Sequence, residues 1–249
     1  MFFKLEKKWQ ITLIVIFLSL ITFIYAFGLL MQYYWFVEWL RWPLLDTRDF
    51  IMYSATLFSF AFLLLLVKGT RRDILTAIAF FFIVVADYFL VRHVWQTGMH
   101  FIGVTAFLMA QIFFMKRVHI NLSKRLKLID IISRAVLSVI VLSIVIPLLW
   151  NQMSVLYIVT AIYISNLFVN VIFGFITCKK NALFAVGLVL LLACDIFVGL
   201  QHRGYAWFGV WIQFNFAWLF YVPAKVFIIM SLLHKQTDRE AESVFKVEV

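Results

Sequence analysis

Long apolar runs separated by short basic segments set the pattern of this chain. Eight segments, at about 10–31, 50–67, 74–94, 99–115, 129–150, 154–177, 181–200 and 206–233, approach or reach the roughly 20 helical residues that cross a hydrocarbon core of ~30 Å. The runs are unbroken rather than alternating, which predicts helices and argues against the short strands of an outer-membrane barrel. The expected fold class is an all-α integral membrane protein with eight transmembrane helices in two four-helix halves. The first segment follows Lys4, Lys7 and Lys8, as a signal peptide would, but it is too long for a typical h-region and is read as a retained helix.

Two of the apolar runs carry a carboxylate. Residues 80–91 read FFFIVVADYFLV around Asp87, and residues 188–200 read LVLLLACDIFVGL around Asp195. An ionisable group deep in a membrane helix costs at least ~2.5–3.5 kcal/mol, so each needs a reason. Asp87 follows Asp73, near the start of its helix, by the same interval that separates Asp195 from Asn181, near the start of its own. At ~1.5 Å per residue both reach ~20 Å from the inner boundary, a depth at which they can share one cavity. Ala86-Asp87-Tyr88-Phe89-Leu90 also parallels Cys194-Asp195-Ile196-Phe197-Val198, a hint that the halves are a parallel repeat.

Composition supports the membrane assignment: 65% of the 249 residues are hydrophobic and 14% charged, with a mean hydropathy of +1.01. Three prolines and nine glycines leave no room for a long linker, so a single transmembrane domain is expected over residues 1–249, with a short charged cytoplasmic tail at 234–249. The formal net charge of +10 would suit nucleic acid, but its placement suits topology instead. With the N-terminus inside, sixteen Lys and Arg fall in inner segments and only Arg41, Arg48, Arg92 and Arg203 in outer ones. Trp39, Trp42, Trp95, Trp150 and Trp207 add an outer aromatic belt. Both termini are expected to be cytoplasmic, and no nucleic-acid partner is expected. The two cysteines and five scattered histidines suggest neither a disulfide framework nor a metal site, so no metal and no cofactor is expected.

Further polar groups gather along the same helices. His100 opens the fourth and Gln111 lies three turns further in. Arg92 and His93 close the third, while His202 and Arg203 follow the seventh; these four either grip a lipid phosphate or are ordinary interfacial residues. Gln213 and Asn215 lie two to three turns into the eighth from outside, with Tyr221 and Lys225 deeper. Lys225 has two readings, a cation snorkelling to the inner interface or a partner for an aspartate. Asn166 and Asn170, at i and i+4, read as interhelical hydrogen-bond glue, and Arg134 as interfacial.

At these segments the sequence resembles the YhhN-like lysoplasmalogenases. The resemblance rests on VVADYFLV, then HFIGVTAFLMAQIFF at 100–114, GLVLLLACDIFVGL at 187–200 and WLFYVPAKVFI at 218–228, and it covers roughly residues 74–230. It implies an eight-helix membrane hydrolase that cleaves the vinyl ether bond of lysoplasmalogens, giving a fatty aldehyde and a glycerophospho-ethanolamine or -choline. Asp87 and Asp195 fall on the family's two aspartate positions. The chain departs from the family pattern at Ala86, where Gly is frequent, at Gln111, where His is common, and at Lys225, where Gln is common. The Gln111 difference removes a histidine proton shuttle, and Lys225 adds a cation near the cavity floor.

Vinyl ether hydrolysis begins with slow protonation of carbon, and paired carboxyls in a low-dielectric site supply both an acid and a carboxylate. Asp87 and Asp195 are the candidate catalytic pair, with the acid unassigned. Gln213, Asn215 and Tyr221 are candidates to position water; Arg92, His100 and Arg203 are candidates to hold the headgroup; Gln111 and Lys225 complete the substrate-binding set. The expected partner is a lysophospholipid within the bilayer, and the expected location a bacterial inner (plasma) membrane. A proton-coupled small-molecule or lipid transporter using the same aspartates is the alternative, and a non-catalytic lipid-binding protein a third reading.

Overall fold

The structure, a computed structural model, describes residues 7–36, 44–92, 97–148, 154–177, 181–202 and 216–245. Among them the chain is all helical, without strands: α1 Lys7–Phe36, α2 Leu44–Leu66, α3 Arg71–Arg92, α4 Thr97–His119, α5 Lys124–Leu148, α6 Val155–Ile176, α7 Ala182–His202 and α8 Phe216–Phe245. Five of these, in α1, α3, α4, α5 and α6, are long and apolar enough to cross a membrane; the apolar stretches of α2, α7 and α8 are shorter among the described residues. The chain is an integral membrane protein. Each sequence segment meets one helix; residues 206–215 of the last lie outside the described residues, and α8, described from Phe216, runs on to Phe245, so the charged segment after residue 233 begins as helix.

Local chemistry sets the breaks. Gly69, at φ 80°, turns the chain between α2 and α3 in a conformation that a Cβ disfavours. Thr70 then caps α3 by accepting the Asp73 backbone N–H on its hydroxyl at 3.2 Å. Ser123 does the same for Leu126 at the start of α5. Inside α8, Pro223 has no N–H to give Leu219, and the Tyr25 hydroxyl of α1 donates to that carbonyl at 3.0 Å.

The principal packing pairs are α1 on α2, α2 on α3, α3 on α4, α4 on α6, α5 on α6, α6 on α7, α7 on α8 and α8 on α2. Six helices therefore close a ring in the order α2, α3, α4, α6, α7, α8, with α1 and α5 outside it. The pattern is unchanged when α1 to α4 are exchanged with α5 to α8, which matches the arrangement of two like halves. The outer helices turn apolar side chains outward, as lipid permits: Val15, Phe23 and Leu30 on α1, and Val136, Val139 and Ile144 on α5, are exposed. On α3 the two faces separate by period. Ala79, Phe80, Ile83, Ala86 and Asp87 are buried, while Ile74, Phe81 and Tyr88, spaced by sevens, face outward.

Two close approaches tighten the ring. A Cβ on Gly103 would lie 2.6 Å from Leu90 Cγ and 3.3 Å from the Ala86 carbonyl, so glycine lets α4 press onto α3 beside Asp87. A Cβ on Gly187 would lie 2.6 Å from Ile228 Cγ1 and 3.0 Å from the Ala224 carbonyl, which seats α7 on α8 beside Lys225.

Candidate functional site

Asp87 sits on the buried face of α3, and two ring helices bring it donors. The Tyr221 hydroxyl of α8 donates to Oδ1 at 2.5 Å, and the Thr56 hydroxyl of α2 donates to Oδ2 at 2.5 Å. Lys225, one turn beyond Tyr221, is wholly buried; its Nζ donates to Thr56 Oγ1 at 2.5 Å and lies 3.8 Å from Asp87 Oδ2. The ammonium also rests over the Tyr221 ring, 3.9 Å from its centroid. Lys225 therefore does not snorkel. It stays in the protein interior because a carboxylate, a hydroxyl and an aromatic face together replace its water.

Asp195, partly buried on α7, accepts a hydrogen bond from the Tyr163 hydroxyl of α6. Among the described residues that is its one hydrogen-bond partner. Phe107 of α4 joins the two carboxyls into one cluster: its ring lies 5.8 Å from that of Tyr163 and 6.4 Å from that of Tyr221. Trp218 closes against Tyr221 at 5.4 Å. Asp87 and Asp195 are joined through the two tyrosines and Phe107. Along their helices they stand ~24 Å from Arg71 and ~20 Å from Ala182 at ~1.5 Å per residue, close to the matched depth expected from the sequence. Every helix of the ring thus supplies a residue: Thr56, Asp87, Phe107, Tyr163, Asp195, and the pair Tyr221 and Lys225.

The two halves repeat one bond. Thr56 on α2 reaches Asp87 on α3 across a separation of 31 residues, and Tyr163 on α6 reaches Asp195 on α7 across 32. Thr56, Phe107 and Tyr163 are absent from the candidates read in the sequence. The near-equal spacing before the two aspartates was the available signal, since a hydroxyl on an apolar helix is by itself unremarkable.

Other candidates fall elsewhere. Gln111 is buried, but its carbonyl and its Oε1 accept from Asn170 Nδ2 at 2.9 and 2.8 Å. That bond belongs to a second polar network, toward the end of the bundle where α4 finishes. There Arg134 grips Asp130 through Nε at 3.0 Å and an NH2 group at 2.8 Å, and it reaches Asn166 Oδ1 at 3.0 Å and Asn170 Oδ1 at 2.7 Å. His119 meets the same carboxylate at 2.6 Å. Asn166 and Asn170 are interhelical glue, as expected, whereas Arg134 is buried rather than interfacial because its carboxylate partner is buried with it. His100 is half-buried in the first turn of α4. Arg92 is the last residue of α3, and its side chain lies outside the described residues, as do Arg203, Gln213 and Asn215 and the side chain of His202. Among the described residues no three of His, Cys, Asp and Glu gather as metal ligands.

A ring of six helices that places two carboxyls, each with a hydroxyl donor, in one aromatic cluster has the groups that acid–base chemistry needs. No curated protein and no solved structure matches the chain. The family model described as the YhhN family matches residues 48–232, from early in α2 into α8, and the chain belongs to that family, the family of lysoplasmalogenases.

Proposed function

We propose that this protein is a membrane lysoplasmalogenase that hydrolyses the vinyl ether bond of a lysoplasmalogen to a fatty aldehyde and a glycerophospho-ethanolamine or -choline. Family membership supports the reaction class. The observation that carries the chemistry is the cluster in which the tyrosines of Tyr221–Asp87 and Tyr163–Asp195 both pack against Phe107. In the proposed topology all eight helices cross a bacterial inner membrane, both termini are cytoplasmic, and the lysophospholipid enters from the bilayer. Arg92, His100 and Arg203 remain candidates for the headgroup, and Gln213 and Asn215 for water.

The reaction needs no redox partner. One carboxyl transfers its proton to the β-carbon of the vinyl ether, giving an oxocarbenium ion. The other carboxylate stabilises that positive charge. Water adds to the charged carbon and surrenders a proton to the carboxylate that had acted as acid, which restores it. The hemiacetal then loses its hydroxyl proton as the C–O bond to glycerol breaks and the glycerol oxygen gains a proton. The sum is one water consumed, with one aldehyde and one alcohol formed.

The second reading, a proton-coupled small-molecule or lipid transporter, draws support from the buried Lys225–Asp87 pair, since such pairs serve proton coupling. Purified protein given a lysoplasmalogen decides between them. Aldehyde release supports hydrolysis; intact substrate together with a substrate-dependent pH change across sealed vesicles supports transport.

A further inference from the structure

We infer that the two aspartates are unequal at rest, with Asp195 carrying the shared proton and Asp87 standing as the carboxylate whose charge Lys225 fixes. The catalytic consequence, that Asp195 is the general acid, rests on the hydrolytic reading above; the location of the proton does not.

The asymmetry is built by α8. Across the pseudo-symmetric pair, one hydroxyl reaches each aspartate, Thr56 for Asp87 and Tyr163 for Asp195. Onto Asp87 alone, α8 adds a second hydroxyl, Tyr221, and an ammonium, Lys225, which acts directly across 3.8 Å and through Thr56. A carboxylate that accepts a hydrogen bond on each oxygen and faces a cation is held in its charged form. Asp195 has one neutral donor and, among the described residues, no cation.

Charge counting points the same way. Among the described residues, the groups facing the cluster are Thr56 from α2, Asp87 from α3, Tyr163 from α6, Cys194 and Asp195 from α7, and Tyr221 and Lys225 from α8. With the phenols and the thiol neutral, one ammonium balances one carboxylate. A second carboxylate would leave a net negative charge among these groups within the membrane, which costs more than a neutral acid there. One ion pair and one neutral acid is the arrangement without that cost, and Lys225 touches Asp87. Lys225, Thr56 and Tyr163 are accordingly positioning residues, and Lys225 decides which aspartate is left to donate.

Infrared spectroscopy of the purified full-length chain at neutral pH reads this directly, because a protonated carboxyl has a carbonyl stretch that a carboxylate lacks. The wild type is expected to show that band. Asp195→Asn removes it, and the charge-balanced double variant Asp87→Asn/Lys225→Met keeps it. Should Asp195→Asn fail to fold, Asp195→Glu shifts the band while Asp87→Glu leaves it in place. Lys225→Met alone roughly doubles the band as Asp87 takes up a proton, and Lys225→Arg restores the single band, a pattern that loss of packing would not give. Absence of the band in the wild type, its loss in the Asp87→Asn/Lys225→Met protein, or no gain in Lys225→Met overturns the assignment. Failure to release aldehyde from a lysoplasmalogen overturns the hydrolytic reading instead, and the spectrum still locates the proton.

Discussion

Lys225 Nζ stands 3.8 Å from Asp87 Oδ2, and the Thr56 hydroxyl, 2.5 Å from each, links them on its own side. A lysine and an aspartate from helices far apart in the chain are thus each other's reason for being buried. Removing either strands the other in a medium that cannot solvate it, which is far more costly than removing both. Lys225→Met and Asp87→Asn are each expected to destabilise the folded protein. The double variant should recover about 0.5–3 kcal/mol relative to the sum of the two. Unfolding in detergent measures the cycle, and strict additivity would mean that the pair does not interact.

The two tyrosines act on the carboxyls rather than on the fold. Phenylalanine keeps the ring contacts with Phe107 and removes the hydroxyl alone. A hydrogen bond to a charged group is worth about 1.5–3 kcal/mol; Tyr221 donates to the carboxylate of Asp87, and Tyr163 to the charge Asp195 gains as it releases its proton, so Tyr163→Phe and Tyr221→Phe should each lower kcat roughly 10- to 100-fold. Aldehyde release measured per folded molecule checks this. Unchanged kcat in both variants would detach the hydroxyls from the chemistry.

Helix seating makes a different prediction. At Gly187 an added methyl meets the Ala224 carbonyl and the Ile228 amide as well as a side chain, whereas at Gly103 the closest atoms belong to the Leu90 side chain. Backbone cannot rotate away. Gly187→Ala is therefore expected to cost about 1–3 kcal/mol, more than Gly103→Ala, and Leu90→Ala should rescue the latter. Thermal unfolding of the three variants reads the order.

The Arg134 network gives a control. Asp130 is wholly buried and held by two bonds from Arg134. Arg134→Met is expected to cost about 3–5 kcal/mol of stability by leaving that carboxylate with His119 alone. Its partners are Asn166, Asn170 and, through Asn170, Gln111, none of which bonds to Asp87 or Asp195. Activity per folded molecule should be unchanged. A selective loss of kcat would place this network in the reaction.

Carbon protonation leaves an isotopic record. In heavy water the proton delivered to the β-carbon is a deuteron, so each aldehyde should carry one deuterium beside its carbonyl. Mass spectrometry of the released aldehyde reads it. Aldehyde without deuterium would exclude the oxocarbenium route.

Much of this was legible in the chain because the membrane simplifies the rules. Length and hydropathy delimit helices when the solvent is lipid, and a carboxylate there announces itself by its cost, which is how Asp87 and Asp195 stood out. The partners were harder to see. Thr56 and Tyr163 are cheap in an apolar helix, since a hydroxyl can bond its own backbone as Ser59 does with the Ala55 carbonyl. Only the ring, which brings α2 to α3 and α6 to α7, turns them toward the aspartates. Gln111 misled for the opposite reason: an amide on the right helix suggested the site, and the height of Asn170 on α6 assigned it to another network. Lys225 had two readings in sequence, and three-dimensional placement was needed to separate them.

The central claim is that Asp87 and Asp195 work as one pair on one bond. It is tested most directly by aldehyde release from a lysoplasmalogen by the wild type, Asp87→Asn and Asp195→Asn, each purified and shown to be folded. The account predicts release by the wild type and a loss of roughly 100- to 10,000-fold in either variant, the range expected when an acid or its partner carboxylate is removed. Full activity in a folded Asp87→Asn or Asp195→Asn protein would contradict it.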